Sequence, residues 1–286
     1  MYRTARVYQP GFAVYITLGI AMTTSNLPIS TEWLLNSTSA LPCEVVLSVA
    51  MVVTTSTGQK GTGWLVSDRH LVTNEHVIRG GTASTVFVQF ADGVTINAHS
   101  ISFDALTDIA VITLARTVSY EPLKIEKKLP EVGTRICAWG HPLGYNGPPP
   151  ILSVGYVAGF NVHNPQGASA PQRRLVLNAA LNPGNSGGPI FSWGEQAVRG
   201  VAVTKHAPIT PFLQSAIAAL QSNDSGVCFS ATDEQGKVHQ FVESQVVAEV
   251  LQYFRNMTQV VIGEAIAAED VVAFLNMHGV PWQSAS

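Results

Sequence analysis

Between residues 45 and 204 the chain alternates short runs of β-branched and aromatic residues with Gly, Asn, Asp and Pro. The runs 45–54 (VVLSVAMVVT), 62–66, 85–90 (TVFVQF), 95–100, 109–114 (IAVITL), 135–139, 153–160, 175–178, 189–192 and 198–204 each read as a strand. Asp92-Gly93 is a hairpin signal between two of them. Strands this closely spaced, with little helical pattern between them, predict an all-β antiparallel barrel or sandwich rather than a parallel α/β sheet.

The period changes near the C-terminus. In 243–255 (ESQVVAEVLQYFR), Val246, Val247, Val250, Leu251 and Phe254 fall on one helical face. A second helix is expected over 264–277, with Ile266, Val271, Phe274 and Leu275 apolar and His278-Gly279, then Pro281, as its stop. No repeat of solenoid length is present. At the other end, Arg3 and Arg6 precede an uncharged run over 7–31. A signal peptide or anchor and an ordinary extension both stay open there, because no A-x-A-like cleavage site follows and Gln9, Pro10 and several threonines break the run. The compartment stays open with it.

Composition narrows the function classes. Charged residues make up 12% of the 286, about half the usual share, while apolar residues make up an ordinary 46%. That balance excludes disorder and a coiled coil, and a net charge of −3 offers no broad basic surface for nucleic acid. Cys43, Cys137 and Cys228 are odd in number and far apart, and neither CxxC nor HExxH occurs. A disulfide framework and a zinc site are therefore not expected.

Candidate chemistry concentrates in three segments. In 182–189 (NPGNSGGP) a serine stands among glycines, where Gly184 permits backbone geometry that other residues resist. Such a turn can aim the N–H groups of Gly184 and Ser186 into one pocket and project the Ser186 hydroxyl beside it, as acyl transfer requires. Serine needs a base. His76 follows the apolar run LVT, whereas His70 precedes it and competes only on proximity. The base needs an orienting acid, and Asp108 heads IAVITL, with Asp104 as the nearest rival. Each of the three also has a plain structural reading: a Gly-rich hairpin, a core or surface histidine, a turn-capping aspartate.

Together these segments resemble the trypsin-like serine proteases, and specifically their HtrA/Deg branch. The resemblance rests on GTGWLVSDRHLVTNEHVI (61–78), TDIAVITL (107–114) and NAALNPGNSGGPI (178–190), with GHPLG (140–144) and SVGYVAG (153–159) in support. It implies two six-stranded antiparallel β-barrels with the site in the cleft between them: residues 44–130 and 131–256, after an extension over 1–43 and before a helical tail over 257–286. It further implies Ser186 as nucleophile, His76 as general base and acid, Asp108 as orienting carboxylate, and Gly184 and Ser186 as oxyanion donors. Polypeptide substrates follow from it, no metal or organic cofactor does, and the frequent trimers of HtrA relatives suggest a homo-oligomer.

Departures from the family pattern qualify this. Asn178 replaces a usual Asp, which alters a local hydrogen bond and leaves the three candidates intact. Asn185 precludes the ion pair with a freed N-terminus that activates digestive proteases, and Val77 replaces their disulfide cysteine. The 32 residues after Phe254 are too few for a PDZ module, so a PDZ-mediated partner is not expected. No Asp or Glu lies between Glu131 and Glu195, which disfavours Lys or Arg at the cleaved bond. The expected specificity pocket takes a small or medium apolar side chain, lined by Ala180, Val201 and Val203. The alternatives are a catalytically silent protease-like binding module and, more weakly, an esterase of the α/β-hydrolase order, which would place Ser before Asp and His.

Overall fold

The fold is seen in a computed structural model that describes residues 27–37, 43–167, 171–205, 211–222, 228–232, 236–257 and 262–285. The apolar N-terminal run therefore lies outside the described residues up to position 26. In chain order the elements are α1 (Ile29–Asn36), β1 (Val49–Thr54), β2 (Gln59–Leu65), β3 (His70–Thr73), α2 (Glu75–Ile78), β4 (Val86–Phe90), β5 (Thr95–Asp104), β6 (Ile109–Leu114) and β7 (Arg135–Gly140). There follow β8 (Ile151–His163), β9 (Gln172–Ala179), β10 (Pro189–Ser192), β11 (Val198–Lys205), α3 (Pro211–Ser222), β12 (Cys228–Thr232), β13 (Val238–Val242), α4 (Glu243–Met257), β14 (Gly263–Ala267) and α5 (Ala268–Met277).

Twelve of the strands close into two six-stranded antiparallel barrels, in the orders β1-β2-β3-β6-β5-β4 and β10-β11-β14-β9-β8-β7. The apolar pattern of each strand follows from what covers its two faces. On β4, Val86, Val88 and Phe90 are buried and Phe87 and Gln89 only partly so, which gives plain alternation. On β6 nearly every residue is buried. Ala110, Ile112 and Leu114 fill the first barrel, while Ile109 and Val111 enter a separate cluster at the seam between barrels.

That seam collects Trp64 and Val72 from the first barrel, Trp139, Phe191 and Val201 from the second, and Val271, Val272, Phe274 and Leu275 from α5. Each fully buried side chain of this size stabilises by about 1.5–3 kcal/mol. The seam therefore fixes one barrel against the other, and the candidate site sits along it.

Three expectations change. Residues Cys43–Ser48 form a 3₁₀ turn, so the first strand starts only at Val49. The expected helical tail over 257–286 contains β14, which pairs with β11 and β9 and closes the second barrel, so the second helix starts at Ala268 rather than at 264. Finally, the apolar face expected on α4 points outward: Val246, Val247, Val250 and Phe254 are exposed, and Ser244 and Ala248 form the buried side. Elements α3, β12 and β13, which had no clear sequence signal, lie in the excursion between β11 and β14.

Candidate active site

His76 is the second residue of α2, the short helix that follows β3. Its Nδ1 lies 2.9 Å from Asp108 Oδ2 and 3.0 Å from Oδ1, and its backbone N–H donates to Oδ1 at 3.0 Å. Ring and main chain are thus tied to one carboxylate. The neighbouring Glu75 is buried, but Arg79 binds it with Nη2 at 2.5 Å, so its charge is engaged away from the imidazole.

Asp108 reaches this position through a left-handed backbone, φ 58°, the one such non-glycine residue among those described. Its carbonyl accepts Asn74 Nδ2 at 2.8 Å, and the carbonyl of Thr107 accepts Arg174 Nη2 at 3.3 Å. The first barrel and β9 of the second therefore both hold the peptide that presents the carboxylate. The two rivals are spent locally. Asp104 caps its own turn through Leu106 N and Thr107 Oγ1, and His70 Nδ1 pairs with Ser67 Oγ at 2.7 Å.

The Ser186 loop rests on its glycines. Gly184 has φ 96°, and a Cβ there would stand 2.4 Å from the carbonyl oxygen of His141. Leu143 N donates to the carbonyl of Pro183 at 2.7 Å, Thr62 Oγ1 to that of Gly184 at 2.7 Å, and Thr62 N to that of Ser186 at 2.8 Å. The N–H groups of Gly184 and Ser186 have no acceptor among the described residues, while those of Asn185, Gly187 and Gly188 each have one. Two neighbouring donors without an acceptor can form an anion-binding concavity.

The Ser186 hydroxyl itself donates to the carbonyl of Val203 at 2.7 Å, and no hydrogen bond joins it to His76 among the described residues. His141 is buried beside the loop, and burial lowers its pKa to about 4. Lys60 Nζ lies 2.5 Å from the carbonyl of Tyr145 and 3.5 Å from that of Pro142, and burial lowers its pKa as well.

Of the residues expected to form a specificity pocket, Ala180 and Val203 are partly buried, and Val201 is packed inside the seam core. Sequence reasoning missed Thr62, Asn74, Leu143 and Arg174. Thr62, Asn74 and Leu143 stood in quoted motifs, but nothing in the string distinguished them from strand or turn filler. Among the described residues no group of three or more His, Cys, Asp or Glu side chains lies close enough to hold a metal ion.

The family model of the trypsin-like peptidase domain matches residues 61–201. The "Probable periplasmic serine endoprotease DegP-like" of Bartonella henselae is 35% identical over 143 residues, 48% of this chain and 26% of that protein. "Protease Do-like 1, chloroplastic" of Arabidopsis thaliana is 29% identical over 216 residues, 74% of this chain and 43% of that protein. The chain thus spans less than half the length of either relative. Among solved structures, the active form of Rv3671c protease from M. tuberculosis superposes with a TM-score of 0.55 at 17% identity, covering 84% of this chain and 85% of that one, a likeness of fold.

Proposed function

Because the chain carries a trypsin-like peptidase domain and is a relative of the HtrA/DegP proteases, we propose that it is a serine endopeptidase acting through Ser186, His76 and Asp108. The observation that carries this reading is the pair of free N–H groups at Gly184 and Ser186, one residue of which is the nucleophile itself. Free serine is a weak nucleophile. Turned from Val203 toward His76 Nε2, the Ser186 hydroxyl loses its proton to the imidazole as it attacks the scissile carbonyl. Asp108 holds the Nδ1 proton and stabilises the cation that forms.

The charge developing on the carbonyl oxygen is met by the two free donors. The protonated His76 then gives its proton to the leaving amine, and an ester remains on Ser186. Water, deprotonated by the same imidazole, hydrolyses that ester and restores the enzyme. Substrates are polypeptides. The acid-free stretch between Glu131 and Glu195 supports a small or medium apolar residue at the cleaved bond, against Ala180 and Val203. A peptide-library profile dominated by Lys or Arg at that bond overturns the preference.

A second reading is a binding module of protease architecture, favoured by one observation: the hydroxyl of Ser186 rests on Val203 and not on His76. The test is labelling with a fluorophosphonate probe together with casein cleavage, beside Ser186→Ala. Losing a member of such a triad costs about 10⁴- to 10⁶-fold in rate, so the variant is expected to be blank. Wild-type protein that neither labels nor cleaves would leave the binding reading standing.

A further inference from the structure

Thr62 lies within β2, with none of its surface exposed. Packing alone gives no reason for a hydroxyl there, since Val has the same shape and at least equal strand preference. A buried hydroxyl costs free energy unless it is bonded, and this one is bonded twice. Its Oγ1 donates to the carbonyl of Gly184 at 2.7 Å and accepts the backbone N–H of His141 at 2.9 Å. The main chain of the same residue donates to the Ser186 carbonyl at 2.8 Å and accepts Thr73 Oγ1 at 2.7 Å, three residues before His76.

Geometry turns these bonds into a constraint on the oxyanion donors. A peptide group is planar and trans, so fixing its carbonyl fixes the direction of its N–H. Leu143 fixes the plane that carries the Gly184 N–H, Gly188 N, donating to the carbonyl of Asn185 at 2.9 Å, fixes the plane that carries the Ser186 N–H, and Thr62 Oγ1 fixes the plane between them. Only the Thr62 hydroxyl among these is a side-chain group. We infer that the Thr62 hydroxyl is a positioning group of the first barrel that holds the Gly184–Asn185 peptide, so that the N–H groups of Gly184 and Ser186 converge on one oxygen. The inference rests on the endopeptidase reading. It makes Thr62 a residue acting through the loop, without contact to substrate.

Steady-state cleavage of a fluorogenic peptide by the full chain, normalised to phosphonate-titrated sites, tests it. Deleting an oxyanion donor outright costs about 10²- to 10³-fold in kcat, so misplacing the donors in Thr62→Val is expected to cost about 10- to 100-fold. KM is expected to change by less than about threefold, phosphonate labelling to slow by the same factor as kcat, and the shape of the pH–rate profile to be kept, since the His76–Asp108 pair is untouched.

Thr62→Ser, which retains the oxygen, restores kcat. Thr31→Val, which deletes another fully buried threonine hydroxyl, one bonded to the carbonyl of Ala91, keeps wild-type kcat. Should Thr62→Val not fold, Thr62→Ala at reduced temperature is read against Thr62→Ser in the same way.

An unchanged kcat in a folded Thr62→Val, a loss confined to KM, or a Thr62→Ser as impaired as Thr62→Val each overturns the inference while the endopeptidase reading stands. An inert wild type removes that reading and the inference with it.

Discussion

The hydroxyl of Ser186 donates to the carbonyl oxygen of Val203 at 2.7 Å, while His76 holds its Nδ1 between the two oxygens of Asp108. The proposed base and its orienting acid are therefore joined before the proposed nucleophile is. One neutral hydrogen bond is worth about 0.5–1.5 kcal/mol net, and about 1.4 kcal/mol is a factor of ten. Releasing Ser186 therefore slows the reaction by about tenfold at most, far too little to silence a protease. Wild-type protein is expected to label with fluorophosphonate, and in the structure of the adduct Oγ is expected to have left Val203. Wild-type protein that fails to label contradicts this.

Asp108 pairs the proposed orienting carboxylate with a left-handed backbone, and two substitutions separate these properties. Asp108→Asn removes the charge and presents the wrong tautomer of His76, which is expected to lower kcat by about 10⁴-fold. Asn tolerates the left-handed region nearly as well as Asp, so the thermal midpoint should hardly move. Asp108→Val is expected to be as inactive and also less stable by about 1–2 kcal/mol, because a β-branched residue pays the full left-handed cost. Equal thermal midpoints for the two variants would show that φ 58° is not strained.

How legible these features were depends on how far the physics reaches along the chain. Ser186, His76 and Asp108 each stand beside an apolar strand or in a glycine-rich turn, so local pattern marks them as candidates, and the resemblance of their segments to a known family implies the two barrels. The closing strand was not legible. GEAIA, with a buried Glu264 accepting Asn161 Nδ2 at 2.8 Å, has the composition of a helix start and runs directly into α5. The outward face of α4 misled for a related reason, since amphipathic periodicity shows that a face exists and not which side is covered. The bonds that tie Thr62 to the Gly184 carbonyl and Arg174 to the Thr107 carbonyl span 122 and 67 positions, which no short-range pattern carries.

Gly184 has no tolerated replacement. A methyl group would meet the His141 carbonyl at 2.4 Å and the Leu143 nitrogen at 2.7 Å, in a backbone at φ 96°. Main-chain atoms cannot step aside as a side chain would, so the loop must move and the two N–H groups lose their common focus. Gly184→Ala is expected to reduce kcat and phosphonate labelling together by at least about 10²-fold, the scale of one lost oxyanion donor. A variant that labels at the wild-type rate rules out this loop as the anion site.

His141 gives the fold a defined acid limit. Burial, with a smaller push from Lys60, outweighs the bond to the Pro148 carbonyl and lowers its pKa to about 4. Since the unfolded chain takes up this proton near the ordinary value of about 6.5, it binds more protons than the native state as the pH falls. The stability from a neutral His141 is thus complete above about pH 6.5 and lost progressively toward pH 4, some 3 kcal/mol in all. His141→Gln removes the titration. Its urea midpoint is expected to fall less than that of the wild type between about pH 7 and pH 4.5; parallel curves for the two proteins would refute the assignment.

Arg174 is a buried cation facing Asp108, Glu264 and Asp270, and it donates to the Thr107 carbonyl at 3.3 Å and to Gln172 Oε1 at 3.0 Å. Two opposed effects meet there. Burial lowers the pKa of the guanidinium, whose Nε and Nη1 have no hydrogen-bond partner among the described residues, so replacing it by Met relieves a desolvation cost. Against that, three carboxylates lose their shared counter-charge and two acceptors, that of Gln172 buried and that of Thr107 partly so, lose a charged donor, at about 1.5–3 kcal/mol for such a bond. The second effect is expected to dominate at neutral pH, so Arg174→Met should be less stable than wild type. Burial raises the pKa of Asp270, so that carboxyl becomes neutral at a higher pH than an ordinary aspartate. The deficit of the variant should therefore shrink on acidification through the raised Asp270 range and widen above it. A deficit independent of pH would mean that the side chain acts through its hydrogen bonds and not through its charge.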